Sequence, residues 1–370
     1  MNIPVYKPTI TDVEKRYVME CLDSEWISSR GAFVERFERD FSSYVGCNYS
    51  ISVSNGTTAL HAALLALGIG PGDEVIIPTL TYIDSANAVT YTGATPVFVD
   101  SSRDAWQIDP EDVRRAITSA TRAIMPVHLY GHPCDMEAIA AIAQEHDLLV
   151  IEDCAEALGT RIGDRHVGTF GDIATFSFYG NKTITTGEGG MVVTNNPTLA
   201  DRTAHIKGQG LAKFREYWHD VVGYNYRMTN ICAAIGCAQL ERIEATLAWK
   251  QQIAAQYRQL LGDILEFQAE TDGTTHSHWM VSALAEHSSQ RDPLRRALQA
   301  AGVETRPLFY PVHSMPMYAR SYRRMPVADD VASRGLNLPS YPELTPQQIE
   351  YIAVQCRNHL VVPTSLRRAA

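Results

Sequence analysis

The sequence predicts an α/β protein in which a mostly parallel central sheet is flanked by helices and followed by a smaller C-terminal α+β domain. Between residues 50 and 194, short apolar runs alternate with helical patterns. Continuous apolar strands separated by helices are typical of a parallel sheet that is covered on both faces. Beyond Thr229 the alternation stops, and a long helical pattern leads into shorter elements. A chain of 370 residues with 45% apolar content is long enough for two domains.

Two helices are predicted before the alternating region. Val13, Tyr17 and Cys21 recur at helical spacing and predict a helix over 12–23. After a loop at 26–31, a second helix carries an aromatic stripe, and such stripes usually face a core. The aromatic residues of this stripe are Phe33, Phe37, Phe41 and Tyr44.

The alternating region itself is divided by its apolar runs and turn residues. Strands are predicted at 51–54, 74–77, 95–99, 123–127, 148–151, 174–178 and 191–194. Helices are predicted at 57–67, 82–91, 109–117 and 136–145. Pro110 falls in the first turn of the third of these helices, where its missing N–H costs no hydrogen bond.

The second domain is predicted to begin inside a long helix. One helical pattern runs from about residue 231 to 261 and contains only Gly236 as a weak breaker. A helix of this length suggests a link between domains. The boundary is therefore predicted near residue 245, which gives a large domain of 1–245 with an N-terminal arm and a small domain of 246–370. In the small domain we predict a strand at 278–284, a helix at 293–301 and a closing helix that starts with a capping box at 345–348.

The composition is typical of a globular protein and disfavours several classes of function. A formal net charge of −10, without a long run of Lys or Arg, disfavours a nucleic-acid surface. No secretory signal pattern and no apolar run of membrane-spanning length are found. Seven scattered cysteines without Cys-x-x-Cys pairs indicate reduced thiols, and we expect a cytoplasmic protein without a zinc site. His61, His128 and His132 lack metal-ligand spacing, so no metal is predicted.

Lys182 is the residue around which the predicted site is organised. It lies in a glycine-rich loop at 179–190, between the predicted strands at 174–178 and 191–194. A loop lysine is usually solvated. A desolvated lysine has a lowered pKa, and its free amine can then form a Schiff base with a carbonyl group. Other residues must decide between these two interpretations.

Asp153 is the first residue that favours the Schiff-base interpretation of Lys182. Ligands of open parallel sheets bind at the carboxyl ends of the strands, and Asp153 follows the predicted strand at 148–151. A carboxylate and a lysine at adjacent strand ends suit pyridoxal phosphate, because the lysine can hold the aldehyde while the carboxylate keeps the pyridine nitrogen protonated. Taken alone, Asp153 would more typically cap a helix.

A phosphate site is predicted where a helix starts after the strand at 51–54. Gly56 allows close approach, and Gly56 and Thr57 open a helix whose N–H groups and dipole favour an anion. Ser177, at the end of the strand before Lys182, can add a hydroxyl donor. Tyr82 follows the strand at 74–77 and is placed to lay its ring on the pyridine face, with core packing as the alternative.

With these residues in place, the chain resembles the DegT/DnrJ/EryC1/StrS family of sugar aminotransferases, which have the aspartate aminotransferase fold (fold type I). The resemblance covers nearly the whole chain, through motifs at 26–29, 55–61, 152–157, 179–191, 223–230 and 306–313. It implies that Lys182 is the Schiff-base lysine and proton shuttle, and that Asp153 is the pyridinium partner. Relatives that act as dehydratases have histidine in place of this lysine, so the lysine implies amino transfer.

The resemblance also implies roles for further cofactor residues. Glu156 matches a position near the ring hydroxyl, where many relatives have Gln or His. Gly56, Thr57 and Ser177 match the phosphate-binding positions. Asn225 matches an asparagine that reaches the phosphate from the neighbouring subunit, so a homodimer with shared active sites is expected. Whether dimers pair further is left open.

The substrate side is implied by the same resemblance. The implied reaction moves the amine of L-glutamate to the C4 ketone of GDP-4-keto-6-deoxy-D-mannose, for a surface polysaccharide such as an O-antigen, or for a glycoside. Trp26, Arg306 and His313 resemble substrate-side positions. Their structural alternatives are an anchor for the N-terminal loop, an ion pair and packing in a turn, respectively. Two alternatives for function remain. One is a 3- or 4-aminotransferase that acts on another keto sugar, such as a dTDP- or UDP-linked 4-ketose or a 3-keto isomer, and the other is a non-catalytic regulator that binds the cofactor.

Overall fold

The computed structural model describes residues 2–319 and 323–360. The helices are α1 Asp12–Asp23, α2 Ala32–Val45, α3 Gly56–Leu67, α4 Asp84–Tyr91, α5 Pro110–Ala116, α6 Met136–His146, α7 Pro197–Lys207, α8 Asn230–Leu240, α9 Ile243–Leu261, α10 Ser288–Ala300, α11 Pro326–Arg334 and α12 Pro346–Leu360. The strands are β1 Tyr49–Val53, β2 Glu74–Pro78, β3 Thr95–Val99, β4 Thr121–Ile124, β5 Leu149–Asp153, β6 Arg161–Ile162, β7 Arg165–His166, β8 Ile173–Ser177, β9 Gly190–Thr194, β10 Glu266–Phe267, β11 Thr274–Thr275, β12 Val281–Leu284, β13 Arg306–Pro307 and β14 Gly335–Leu338. Across the described ranges, no helix is both long and apolar enough to cross a bilayer.

The central sheet has seven strands in the order β1-β9-β8-β5-β4-β2-β3. The strands from β8 to β3 pair in parallel, whereas β9 runs antiparallel to β1 and β8. The predicted α/β class with a mostly parallel sheet is therefore confirmed. Because β5 pairs with β8, with Ile151 opposite Ile173, the carboxyl ends of these strands meet at one edge of the sheet. This edge carries Asp153 and the loop of Lys182.

Local side chains cap the N-termini of α3 and α12. Asn55 caps α3 by accepting a hydrogen bond from the Thr58 N–H at 2.9 Å. The predicted capping box of α12 is present, since the Thr345 N–H donates to Gln348 Oε1 at 2.9 Å. In return, the Gln348 N–H donates to Thr345 Oγ1 at 3.3 Å.

The prediction of one continuous helix from about residue 231 to 261 is wrong. The described helix α8 ends at Leu240 and α9 begins at Ile243. Between them Arg242 leaves helical geometry, with φ −118° and ψ 16°. Its guanidinium donates to the Glu14 carboxylate of α1 at 2.9 Å, and the Gln239 amide donates to the same oxygen at 2.5 Å. A contact between distant segments fixes the break, and the helical pattern of this segment alone cannot reveal it.

Helix α9 joins two apolar cores. Ile243 and Leu247 pack against the central sheet, whereas Tyr257 packs in the core that contains the second sheet, β10-β12-β14-β13. Ile3 of the N-terminal arm also packs in this second core, although the arm was assigned to the large domain. The boundary near residue 245 stays a prediction, and residues 361–370 of the predicted small domain lie outside the described residues.

Candidate active site

Lys182 lies in the loop between β8 and β9, and the protein encloses its amine. The Nζ atom is 3.8 Å from Glu156 Oε1 and 4.0 Å from the centroid of the Trp279 ring. Only 12% of the lysine side chain is exposed. The loop turns back through a hydrogen bond from the Lys182 N–H to the Tyr179 carbonyl at 2.9 Å. The interpretation of Lys182 as a solvated loop lysine is therefore wrong.

Burial shifts Lys182 and Glu156 toward their neutral forms. It lowers the pKa of the Lys182 amine, while the carboxylates of Glu156 and Asp153 act in the opposite direction. Burial raises the pKa of Glu156 to about 7, and the charge of Lys182 opposes that rise. Glu156 Oε2 also accepts a hydrogen bond from the Tyr130 N–H at 2.7 Å. Burial therefore brings the pKa values of the two side chains closer together than those of a free lysine and a free glutamate.

Asp153 is the last residue of β5 and is buried beside β8. Ser85 Oγ donates to its Oδ2 at 2.8 Å, and the Ala155 N–H donates to its Oδ1 at 3.1 Å. Burial raises the pKa of Asp153, whereas these hydrogen bonds and the charge of Lys182 lower it. A buried carboxylate of this kind gains from a cationic partner. No described helix begins at Asp153, so the alternative that it caps a helix is wrong.

Gly56, Thr57 and Ser177 meet at the N-terminus of α3. A Cβ atom at Gly56 would lie 2.8 Å from Ser177 Cβ and 3.0 Å from its Oγ, so only glycine allows this close approach. Thr57 Oγ1 donates to Asp84 Oδ2 at 2.5 Å. Because the first N–H groups of a helix point away from it, this corner combines backbone donors, a hydroxyl and the positive end of the helix dipole. Such a corner can bind a phosphate group.

An aromatic wall borders the site. Tyr82 is 54% exposed, which makes the core-packing alternative for it wrong, and its ring centroid is 5.5 Å from that of Phe309. Phe309 lies 5.3 Å from the Tyr130 ring, and Tyr130 stacks on Trp279 at 6.1 Å. The wall thus runs from an accessible tyrosine to the indole that covers Lys182.

His128, Glu152 and Cys154 form a buried cluster next to Asp153, with possible ligand atoms within 4.8 Å of one another. Nδ1 of His128 accepts a hydrogen bond from the Cys134 N–H at 3.0 Å. The proton is therefore on Nε2, which donates to Glu152 Oε2 at 3.1 Å. Backbone N–H groups of the segment 168–171 donate to both Glu152 oxygens. Hydrogen bonds explain this cluster without an ion, because the imidazole has no lone pair left for one.

Comparison with known proteins agrees with this geometry. The model of the DegT/DnrJ/EryC1/StrS aminotransferase family matches residues 8–357. The chain belongs to this family. The fold type predicted from the sequence, the enzyme class of transaminase and the dependence on pyridoxal phosphate are thereby confirmed.

Named relatives and solved structures extend this result. GDP-perosamine synthase from Escherichia coli O157:H7 is 57% identical over 350 residues, which cover 95% of this chain and 96% of the relative. GDP-perosamine synthase from Vibrio cholerae is 46% identical over 362 residues, with 96% and 99% covered. A UDP-N-acetyl-3-dehydro-alpha-D-glucosamine 3-aminotransferase from Acidithiobacillus ferrooxidans is 40% identical over 329 residues, with 87% of both covered. Spr1654 from Streptococcus pneumoniae aligns over 100% of both chains in its PMP form, with a TM-score of 0.94 and 28% identity. Its PLP form has a TM-score of 0.93, with 27% identity and 98% and 99% covered.

Asn225 lies on the surface of the chain. Its side chain is exposed, and its Oδ1 accepts hydrogen bonds from Nε and Nη2 of Arg227 at 3.0 and 2.9 Å. Arg227 thus fixes the amide so that its N–H₂ group faces away from the guanidinium. A contact with a neighbouring chain stays a prediction.

The three substrate-side candidates lie in different settings. Trp26 is 57% exposed, and its carbonyl accepts from the Asn230 side chain at 2.7 Å. Arg306 Nη2 lies 3.8 Å from Glu304 Oε1. His313 is buried in a short 3-10 turn, with Nδ1 2.6 Å from a threonine hydroxyl at position 79. These contacts are those of the structural alternatives, and a role toward a substrate stays a prediction for each residue.

Sequence analysis missed four side chains that shape the site. The Ser85 hydroxyl donates a hydrogen bond to Asp153. The wall beside Lys182 consists of Tyr130, Trp279 and Phe309. The one available signal was for Ser85, which lies in the helix that follows β2 at the same edge of the sheet. The three aromatic residues come from distant segments, so no local spacing points to them.

Proposed function

We propose that this protein is the pyridoxal 5'-phosphate-dependent aminotransferase that converts GDP-4-keto-6-deoxy-D-mannose to GDP-perosamine, with L-glutamate as amino donor. The observation that carries the chemistry is the buried Lys182 amine, 3.8 Å from Glu156 at the sheet edge that also bears Asp153. The acceptor is supported by the two GDP-perosamine synthases that resemble nearly the whole chain. The product would enter a surface polysaccharide, such as an O-antigen, or a glycoside.

The residues present fit the cofactor. Gly56, Thr57 and Ser177 would hold its phosphate, and Asp153 would hold its ring nitrogen in the protonated state. Glu156 would meet a polar group of the ring, and Tyr82, which is 54% exposed, would offer it an aromatic face. When bound, the cofactor supplies an aldehyde that takes up the amine and a ring that withdraws electrons.

Lys182 and Glu156 would manage the proton. A lysine with a lowered pKa has a larger fraction of free amine near neutral pH, which is the form that attacks a carbonyl and accepts a proton. Glu156, with a pKa of about 7, is able to give or take a proton in the same pH range. Low exposure of both side chains keeps water away from the amine.

We also propose a homodimer whose active sites each use two chains. Support comes from Asn225, whose oriented amide is exposed on the surface. The neighbouring segment exposes large apolar side chains, including Phe214 at 76%, Tyr217 at 93% and Val222 at 86%. Apolar groups of this size are usually covered by a partner. All seven cysteines are free, which fits the proposed cytoplasmic location.

A panel of keto-sugar nucleotides tests the proposed acceptor. Purified protein is incubated with glutamate and, separately, with GDP-, dTDP- and UDP-linked keto sugars, and the amino sugar is measured by mass spectrometry. We expect the GDP-linked 4-ketone to be turned over with the highest kcat/KM. Turnover of another acceptor without that of the GDP-linked ketone would refute the substrate assignment.

Variants at Lys182 test the chemistry separately. Lys182→Ala is expected to lose transamination with every acceptor. Lys15→Ala is the matched control, because Lys15 is 67% exposed and forms a surface ion pair with the nearby Asp12. Undiminished activity of Lys182→Ala would refute the mechanism, whereas an unmodified protein that binds the cofactor but turns over none of the acceptors would favour a cofactor-binding regulator.

An acceptor with another nucleotide is the second candidate. The observation that favours it is the 40% identity to the UDP-linked 3-aminotransferase. The cofactor residues are common to both candidates, so the acceptor panel distinguishes them.

A further inference from the structure

Lys250, in α9, is a buried cation outside the site described above. Its side chain has no exposed surface. Its Nζ donates to the backbone carbonyls of His278, Trp279 and Ser340, at 3.4, 3.1 and 3.0 Å. Burial of an ammonium group costs free energy, and hydrogen bonds offset part of that cost. Lys250 therefore joins α9 to two separate segments of the chain.

One of these segments leads directly to Lys182. The Trp279 Nε1–H donates to the Asn181 carbonyl at 2.7 Å, and its ring covers Lys182 Nζ at 4.0 Å. His278 has a φ of +49°, a conformation that a non-glycine residue keeps only where surrounding contacts hold it. Because Lys250 bonds the carbonyls of both 278 and 279, it fixes the backbone that directs the indole.

A second contact leads to the same loop. Lys250 Nζ lies 5.3 Å from the centroid of the Tyr6 ring, and the Tyr6 hydroxyl donates to the Lys182 carbonyl at 2.5 Å. Burial raises the pKa of Tyr6, so the hydroxyl stays protonated and remains a donor. Lys250 thus contacts the ring of Tyr6 and the backbone carbonyl of Trp279, the two residues whose side chains hold the Lys182 loop.

We propose that Lys250 is a positioning residue for the reaction, which holds Trp279 and Tyr6 against the Lys182 loop and so keeps the Lys182 amine in place and desolvated. This inference rests on the proposed role of Lys182 as the reacting amine. Burial lowers the pKa of Lys250 to about 7. The ammonium form has a donor for each of the three carbonyls, and the neutral amine keeps two N–H donors, which suffice for two of them.

The test measures the Lys182 amine without substrate turnover. Full-length protein freed of cofactor is treated with an amine-labelling reagent across neutral to alkaline pH, and the rate at Lys182 is followed by peptide mass spectrometry. Lys250→Met is expected to raise the apparent pKa of Lys182 by about one unit, because water reaches the amine once the indole is released. Lys15→Met, which removes an exposed lysine, is the matched control and is expected to leave that pKa unchanged.

A double-variant cycle separates positioning from general loosening of the fold. If Lys250 acts through Trp279, the double variant of Lys250→Met and Trp279→Phe matches the larger single shift and not the sum of the two. Thermal unfolding of each variant verifies that the measured chains are folded. If Lys250→Met does not fold, Lys250→Gln takes its place. Its amide has N–H donors that support folding, but the side chain is shorter and two donors cannot serve all three carbonyls, so a smaller shift in the same direction is expected.

Two results would overturn the inference. They are an unchanged Lys182 labelling profile in a folded Lys250 variant, and additive shifts in the double variant. Full activity of Lys182→Ala would instead refute the proposed function, while the labelling result would stand on its own. The two failures are therefore distinguishable.

Discussion

Gly56→Ala is expected to weaken cofactor binding while leaving the fold intact. The added Cβ would lie 2.8 Å from Ser177 Cβ and 3.0 Å from Oγ, closer than such atoms pack, so Ser177 has to move. Gly56 is the first residue of α3 and is not in the left-handed region. Alanine fits that backbone and is a better helix former than glycine. The cost therefore falls on the position of the Ser177 hydroxyl.

The size of this effect follows from the hydrogen bond that is lost. A hydrogen bond from a hydroxyl to a charged group contributes about 1.5–3 kcal/mol. Loss of that contribution raises the Kd for pyridoxal phosphate roughly 10- to 150-fold. Ser177→Ala removes the same hydroxyl without a clash, so it is expected to give an increase of similar size. The double variant is expected to have a Kd close to that of either single variant, since both changes remove the same hydrogen bond.

The assay is a titration of cofactor-free protein with pyridoxal phosphate, followed by its absorption band, together with thermal unfolding in the absence of cofactor. Gly70→Ala is the matched control, because the nearest atom to its added Cβ is 3.9 Å away. Wild-type affinity in Gly56→Ala together with weakened binding in Ser177→Ala would refute the proposed contact. Wild-type affinity in both variants would refute the phosphate site itself.

Three further predictions concern the shared active site, the titration of Glu156 and the buried Lys250. Asn225→Ala and Lys182→Ala are each expected to be inactive alone. When the two variants are mixed and exchange subunits, half of the dimers contain one chain of each kind and hold one intact site of two, so about a quarter of wild-type activity should return. A mixture that recovers no activity would contradict the shared site. Glu156→Gln is expected to remove an inflection near pH 7 from the pH profile of kcat, because the pKa of Glu156 is about 7 and an amide does not titrate; an unchanged profile would contradict this. The pKa of Lys250 is about 7 in the folded chain, below the ordinary lysine value of 10.5. Between these two pH values the unfolded chain binds more protons than the folded chain. The free energy of unfolding should therefore rise with pH across that window, by on the order of a few kcal/mol. Urea unfolding at neutral and alkaline pH measures this rise, and Lys250→Met should show less of it.

The cofactor edge of the site could be predicted because the fold dictates it. Asp153 and Ser177 end two neighbouring parallel strands, and Gly56 opens the helix that follows β1. In an α/β sheet the carboxyl ends of the parallel strands lie at one edge, so the topology of the sheet is enough to bring these positions together. The apolar runs alone were therefore enough to bring the acid, the hydroxyl and the helix start together around Lys182.

The parts that were missed depend on contacts between distant segments. The break between α8 and α9 is fixed by Glu14, and the cover over Lys182 is Trp279. The enclosure of Lys250 depends on carbonyls at 278, 279 and 340. A helical period or a turn residue reports only on its own neighbourhood, so these contacts leave no local pattern. The same reason explains why the burial of Lys182 could be inferred from its partners but not from its loop.

The two sides of the site also differ in what they say about specificity. In the proposed function Asp153 and Ser177 contact the cofactor, which every acceptor shares, so changes there are expected to lower turnover of all keto sugars and to leave their ratio unchanged. Arg306, a candidate on the substrate side, belongs to the second sheet. Its position is not set by the strand ends of the central sheet. Discrimination between nucleotides therefore has to come from residues outside the strand ends of the central sheet. A comparison of kcat/KM between acceptors is the measurement that reports on this discrimination.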